Sequence, residues 1–157
     1  MNAPMKITPA PVRKSIRVNA PQAKAFAVFT ANIGQWWPKS HHIGTAPLKN
    51  VVIEPRVGGR WYQVSEDNSE YDNGFVRVWQ PSERVVVTWR LNAQFQLDDT
   101  VDSEIDVRFI PDGTGTRVEL EHRVTAVDGD MIAAAVAAPG GWSGILAVYA
   151  EAAGGQA

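Results

Sequence analysis

The stretch Val101–Val124, VDSEIDVRFIPDGTGTRVELEHRV, decides the fold. Ile105, Val107 and Phe109 alternate with Glu104, Asp106 and Arg108. After Pro111-Asp112-Gly113-Thr114-Gly115, Val118 and Leu120 alternate with Arg117, Glu119, Glu121 and Arg123. Successive side chains of a strand point to opposite faces, so each run has one apolar and one charged face. The turn between them is too short for a parallel crossover, which makes the pair an antiparallel hairpin. His122 breaks the pattern, because it falls on the apolar parity.

Upstream, Val85, Val87, Trp89 and Leu91 continue the inward set, and Arg84 and Arg90 the charged one. That charged side reads as a solvated face of cross-strand pairs. Further strands are predicted over Val12–Val18, Leu48–Ile53, Arg60–Val64 and Phe75–Trp79. Their separators are Gly58-Gly59, Asp67-Asn68-Ser69, Asn73-Gly74 and Pro81-Ser82. Asn19-Ala20-Pro21 predicts a helix start capped by Asn19, with Phe26, Phe29 and Ile33 as its apolar stripe and Gly34 as its stop. Near the C-terminus Trp142, Ile145, Leu146 and Tyr149 recur at helical spacing, after an Ala-rich helical stretch interrupted by Pro139-Gly140-Gly141. The order is strand, helix, a run of strands, then a broken terminal helix. It argues for an α+β fold whose antiparallel sheet is covered by that helix.

The chain has 157 residues, 45% apolar, with 6 Trp and no Cys. This predicts one domain over residues 12–153, flanked by flexible tails at 1–11 and 154–157. Without Cys there is no disulfide, zinc–thiolate site or thiol nucleophile, and a reducing cytoplasm is the compartment expected. Fifteen Lys and Arg against 17 Asp and Glu, with no dense basic run, lack the footprint of a nucleic-acid binder. The longest nearly apolar stretch, Met131–Ala138, is far short of the about 20 residues that a membrane span needs. No cofactor motif is present. Gly141-Trp142-Ser143-Gly144 misses the nucleophile elbow, because Ile145 stands where the second glycine is required.

Three segments together resemble the Activator-of-Hsp90-ATPase-homologue branch of the START-like helix-grip superfamily, which also holds polyketide cyclases and the birch-pollen allergen. The first runs from Asn19-Ala20-Pro21 through Phe29 to Trp36-Trp37-Pro38. The second is Glu54-Pro55-Arg56-Val57-Gly58-Gly59-Arg60-Trp61. The third joins Gly74-Phe75-Val76, Pro81-Ser82-Glu83-Arg84-Val85, Thr88-Trp89, Gly141-Trp142 and Leu146. The resemblance spans about Val12 to Tyr149. It implies a curved antiparallel sheet wrapped around a long C-terminal helix, with a central cavity between them. The break at Pro139-Gly140-Gly141 departs from a continuous helix. Fold alone does not assign chemistry.

On this reading the chain binds a small hydrophobic or aromatic molecule. The residues expected at the site are Trp36, Trp37, Trp61, Trp89, Phe109, His122 and Trp142, with Trp36 and Trp37 as loop indoles beside the cavity mouth. Trp89 and Trp142 fit the core equally well, and Trp61 and Trp79 sit in strands apolar on both parities. His122 is either a polar group inside the cavity, able to act as acid or base, or a core histidine satisfied by its neighbours. His41 and His42 lack metal-ligand spacing and read as a polar loop or part of the rim. A polyketide-cyclase-like or dehydratase-like enzyme using His122 is the alternative function. A chaperone-regulating module is a second, and a homodimer is left open.

Overall fold

The hairpin predicted over residues 101–124 forms. In the computed structural model, which describes residues 5–155, Asp102–Asp112 (β6) and Gly115–Thr125 (β7) pair antiparallel, with Ile105 opposite His122 and Val107 opposite Leu120. Gly113 takes a φ of 61°, which the two-residue turn requires and an L side chain resists. Around the pair lie Val12–Val18 (β1), Leu48–Ile53 (β2), Arg60–Ser65 (β3), Glu70–Gln80 (β4) and Arg84–Thr88 (β5). All join one sheet in the order β1-β7-β6-β5-β4-β3-β2, every neighbour antiparallel. Register shifts at Leu48/Asn50, Trp61/Tyr62 and Val76/Val78 mark irregularities that bend and twist strands, and so curl the sheet. The predicted turn at Asn73-Gly74 is one of these. Both residues lie inside β4, where Gly74 pairs with Trp61 and Asp72 with Tyr62, so Asn73 is the extra residue of a bulge. The strand predicted to reach Leu91 ends at Thr88, and Leu91 pairs instead with Leu97 inside the β5–β6 connection.

The inward parity is buried throughout. Val85, Val87, Ile105, Val107, Phe109, Val118, Leu120 and His122 all belong to the core. Against them pack the helices Gln22–Phe29 (α1), Ile33–Trp36 (α2), Gly129–Ala137 (α3) and Gly144–Ala152 (α4). The helix start differs from the prediction. Pro21, in extended conformation, occupies the cap position without a side-chain cap bond, and Asn19 lies two residues outside it. The helix also ends earlier, at Phe29, where the Thr30 hydroxyl donates to the Phe26 carbonyl at 2.8 Å. Gly34 is therefore not a stop but part of α2. Its role is close approach, since a Cβ there would sit 1.9 Å from Asn50 Oδ1 on β2.

The terminal helix is in two halves, α3 and α4, bent by 43° at a kink within Pro139–Ser143. Gly141 breaks the helical backbone with ψ −132°, and a Cβ there would lie 2.2 Å from the Val136 carbonyl oxygen. Ile132, Val136, Trp142, Ile145, Leu146 and Tyr149 are buried, Tyr149 against Phe29 and Trp36. Among the described residues no single helix is long and apolar enough to cross a membrane. Of the two predicted tails, residues 1–4 and 156–157 lie outside the described residues. Ile7 exchanges backbone hydrogen bonds with Ala126 (2.7 and 3.1 Å), and the Asn19 amide donates to the Gly155 carbonyl at 2.9 Å.

The charged parity is not uniformly solvated. Asp106 is only 4% exposed and takes the guanidinium of Arg84 at 2.8 Å, with Arg123 at 3.4 Å and Arg108 at 3.6 Å. Burial works to raise the Asp106 carboxyl, but the Arg84 hydrogen bonds and the charges of Arg84, Arg108 and Arg123 outweigh it and hold the group below the usual carboxylate range. A groove of about 690 Å³ lies over this cluster, on the outer face and away from the aromatic interior.

Candidate ligand-binding site

At the end of the sheet where β4, β5 and the β5–β6 connection meet the helix break, aromatic rings gather. Trp89 lies 4.6 Å from His122, 5.8 Å from Phe95 and 6.2 Å from Trp142, ring centre to ring centre. Trp142 is 6.3 Å from Trp37, which is 5.7 Å from Trp61 and 6.4 Å from His41, and His41 is 5.9 Å from Phe95. These rings touch one another between sheet and helices, most of them edge to face, the geometry aromatic quadrupoles favour. Of the seven predicted site residues, Trp37, Trp61, Trp89, His122 and Trp142 come together here.

Phe109 does not, and Trp36 joins the cluster only at its edge, through Trp37 at 5.9 Å ring centre to ring centre. Trp36 is no exposed loop indole: it closes α2, is 5% exposed, packs on Phe29 and Tyr149, and donates its indole N–H to the Val28 carbonyl at 2.7 Å. Phe109 packs on Phe26 and Phe29. Trp37, beside it in sequence, is equally buried, so both indoles point inward. Tyr149 donates its hydroxyl to the Ala25 carbonyl at 2.8 Å, and burial pushes that hydroxyl up, keeping it protonated.

His122 is satisfied on both sides. The Trp142 indole N–H, which can only donate, reaches His122 Nδ1 at 3.0 Å. The ring proton therefore sits on Nε2, which donates to Ser103 Oγ at 3.1 Å, and Ser103 donates onward to the Trp89 carbonyl at 2.7 Å. Burial, reinforced by the charge of Arg123, pushes the imidazole pKa down to about 3. The folded ring is neutral, whereas the unfolded ring gains a proton below about pH 6.5, so stability is full above that pH and is lost as pH falls toward 3. Between about pH 7 and 4.5 this group is expected to remove about 2–3 kcal/mol. Urea midpoints of the wild type and His122→Gln at the two pH values check it. His41 and His42 are common to both proteins, so the difference in slope belongs to His122, and equal slopes refute the prediction.

The loop after Trp37 closes the ring cluster. Gln63 on β3 accepts from the Ile43 amide at 3.0 Å, and the Trp37 indole donates to the His41 carbonyl at 3.0 Å. His41 Nε2 donates to the Gly140 carbonyl at 2.8 Å, spanning from this loop to the helix break. Ser40 Oγ holds its other nitrogen at 3.0 Å. Opposite stands Phe95, held at a φ of 59° in the connection after β5. Phe95, Ser103 and Asn73 escaped the sequence reading. Phe95 lies in a loop with no periodicity to place it, and Asn73 carries the signature of a turn.

The model of the Activator of Hsp90 ATPase homolog 1-like protein family matches residues 19–153. No curated protein matches the chain. Among solved structures, one described as the anthrahydroquino-gama-pyrone synthase Txn09 complexed with SUM is 36% identical, covering 92% of this chain and 97% of that one, with a TM-score of 0.62. Protein MLL2253 from Mesorhizobium loti (19% identical, 91% and 96% covered, TM-score 0.67) and protein NE0264 from Nitrosomonas europaea (14%, 97% and 96%, TM-score 0.66) share the fold. The curled seven-stranded sheet closed over a C-terminal helix pair is the helix-grip arrangement, and the chain belongs to the Activator of Hsp90 ATPase homolog 1-like protein family.

Proposed function

We propose that this protein binds a small hydrophobic or aromatic molecule between the sheet and the C-terminal helices, where Trp37, Trp61, Trp89, Trp142 and His122 meet. The observation that carries the reading is how this end of the interior is built. It is faced by rings rather than interlocked aliphatic chains, and its cover is made of loops. The His41–Gly140 hydrogen bond and the His41–Phe95 ring contact tie that cover together, and parting them opens a way in. The synthase relative, described as complexed with SUM, supports the same class of function. Native mass spectrometry of freshly purified protein tests it, and also reports whether the protein is a homodimer. A mass above that of the chain, 17.2 kDa, by a small organic molecule is the expected result. The bare chain mass, together with no thermal shift across a panel of neutral aromatic compounds, overturns the reading.

The synthase relative also favours a second reading, a cyclase-like enzyme. In such an enzyme His122 is a weak choice of acid or base, because both its nitrogens are engaged and burial holds it neutral. Its role there is to orient Trp142 and Ser103.

A further inference from the structure

We propose that Trp89 and Asn73 are the polar recognition groups of this interior, and that its ligand is an uncharged, flat molecule presenting a carbonyl oxygen. The inference rests on the binding site proposed above. Four of the protein's 6 indoles donate to named acceptors: Trp36 to Val28, Trp37 to His41, Trp61 to Thr88 and Trp142 to His122. Trp89 Nε1 is fully buried and has no acceptor, although its ring is held by His122, Phe95 and Trp142. An indole nitrogen can only donate, and burying a donor unpaired costs about 1–3 kcal/mol.

Asn73 repeats the anomaly. It is 1% exposed, and neither the oxygen nor the nitrogen of its carboxamide has a partner. It sits at the bulge of β4, and its backbone carbonyl accepts from the Arg90 amide at 3.0 Å, so Trp89 is next to its cross-strand neighbour. Two unpaired donors and one unpaired acceptor are thereby brought to one end of the sheet. His42 Nδ1, in the covering loop, is the remaining buried side-chain atom without a partner among the described residues. Buried polar groups are almost always paired, so such a concentration marks a place where a partner is supplied from outside. A carbonyl oxygen would accept from Trp89, and a hydroxyl or amide on the same molecule would pair with Asn73.

The absence of charge follows from the same inventory. The titratable groups buried among the described residues are Asp106, His122 and Tyr149. Asp106 is committed to arginines on the outer face, His122 is bonded at both nitrogens, and Tyr149 is bonded to Ala25. His41, in the cover, is bonded at both nitrogens to Ser40 and Gly140, so an ionised ligand would enter the ring cluster without a free counter-charge, at heavy cost.

Fluorenone, fluorene and a fluorenone carboxylate test this by equilibrium dialysis, which does not depend on indole emission. The three share a flat ring system and differ in the carbonyl and the charge. The ketone is expected to bind about tenfold more tightly than either analogue, the value of roughly one recovered hydrogen bond. In nitrogen–proton correlation spectra, one indole N–H resonance, absent from Trp89→Phe, should move with the ketone and stay with the hydrocarbon. Trp89→Phe should abolish the preference for the ketone over fluorene, whatever the smaller ring does to the affinity of both. If that variant does not fold, Asn73→Ala and the ketone–hydrocarbon comparison on the wild type decide the matter. Fluorene bound as tightly as fluorenone, with no indole shift, overturns the inference and leaves the binding site standing. Failure of all three compounds to bind overturns the site and the inference with it.

Discussion

Trp142→Ala is expected to cost about 3–5 kcal/mol of stability, the range for truncating a buried large aromatic. The residue is 2% exposed and sits in the turn that joins the two halves of the terminal helix. Its ring touches Trp37, Trp89 and His122, so its loss removes contacts to the covering loop and to the sheet together. Its N–H is also the partner of His122 Nδ1, so the variant leaves a buried acceptor unpaired as well as a void. At about 2–4 °C per kcal/mol for a domain of this size, the melting temperature should fall by roughly 10 °C. Trp142→Phe keeps a six-membered ring but loses the donor and the pyrrole part of the indole, so a smaller cost of about 2–3 kcal/mol is expected. Urea unfolding of the three proteins measures both. A loss below about 1 kcal/mol for the alanine variant would show that the helix break is not anchored through this indole.

Asp106→Asn is expected to cost about 2–3 kcal/mol, at the low end for breaking a buried ion pair, because Arg108 and Arg123 are more than a third exposed and can turn to water. Arg84, at 29% exposure and bonded twice to the carboxylate, bears most of the loss. Glu119→Gln, which disrupts the exposed pair with Arg117 at 3.7 Å, provides the comparison and should change stability by less than about 0.5 kcal/mol. Equal effects at the two positions would mean that the arginines around Asp106 hold it no more firmly than a surface pair.

The parity of β5, β6 and β7 was legible because a sheet with one buried face repeats its chemistry every second residue. Val85, Val107, Leu120 and their neighbours declare that face directly. The helix break was legible too, since Pro139-Gly140-Gly141 can hardly continue a helix. Local signals misled where a second element supplied the constraint. Asn73-Gly74 has the chemistry of a turn, yet pairing with β3 on one side and the segment after β5 on the other keeps both residues in strand. Gly34 looks like a helix terminator, but the approach of the β2 backbone is what requires it, since a Cβ would lie 2.9 Å from the Val51 carbonyl oxygen. Trp36 looked like a surface indole because no periodicity surrounds it, and α2 turns it into the core.

By itself the sequence determined the strand order along the chain, the inward set, the broken terminal helix and the family resemblance. All of these rest on spacing between near neighbours. Only the tertiary structure decided which aromatic residues share a site. It separated Phe109 from Trp37, Trp61, Trp89 and Trp142, left Trp36 touching only Trp37 among them, and brought in Phe95 and His41 from loops. It also decided that His122 is bonded and neutral while the Trp89 indole N–H and the Asn73 carboxamide have no partner. Whether a buried polar atom has a partner depends on groups tens of residues away, and no local pattern carries that information.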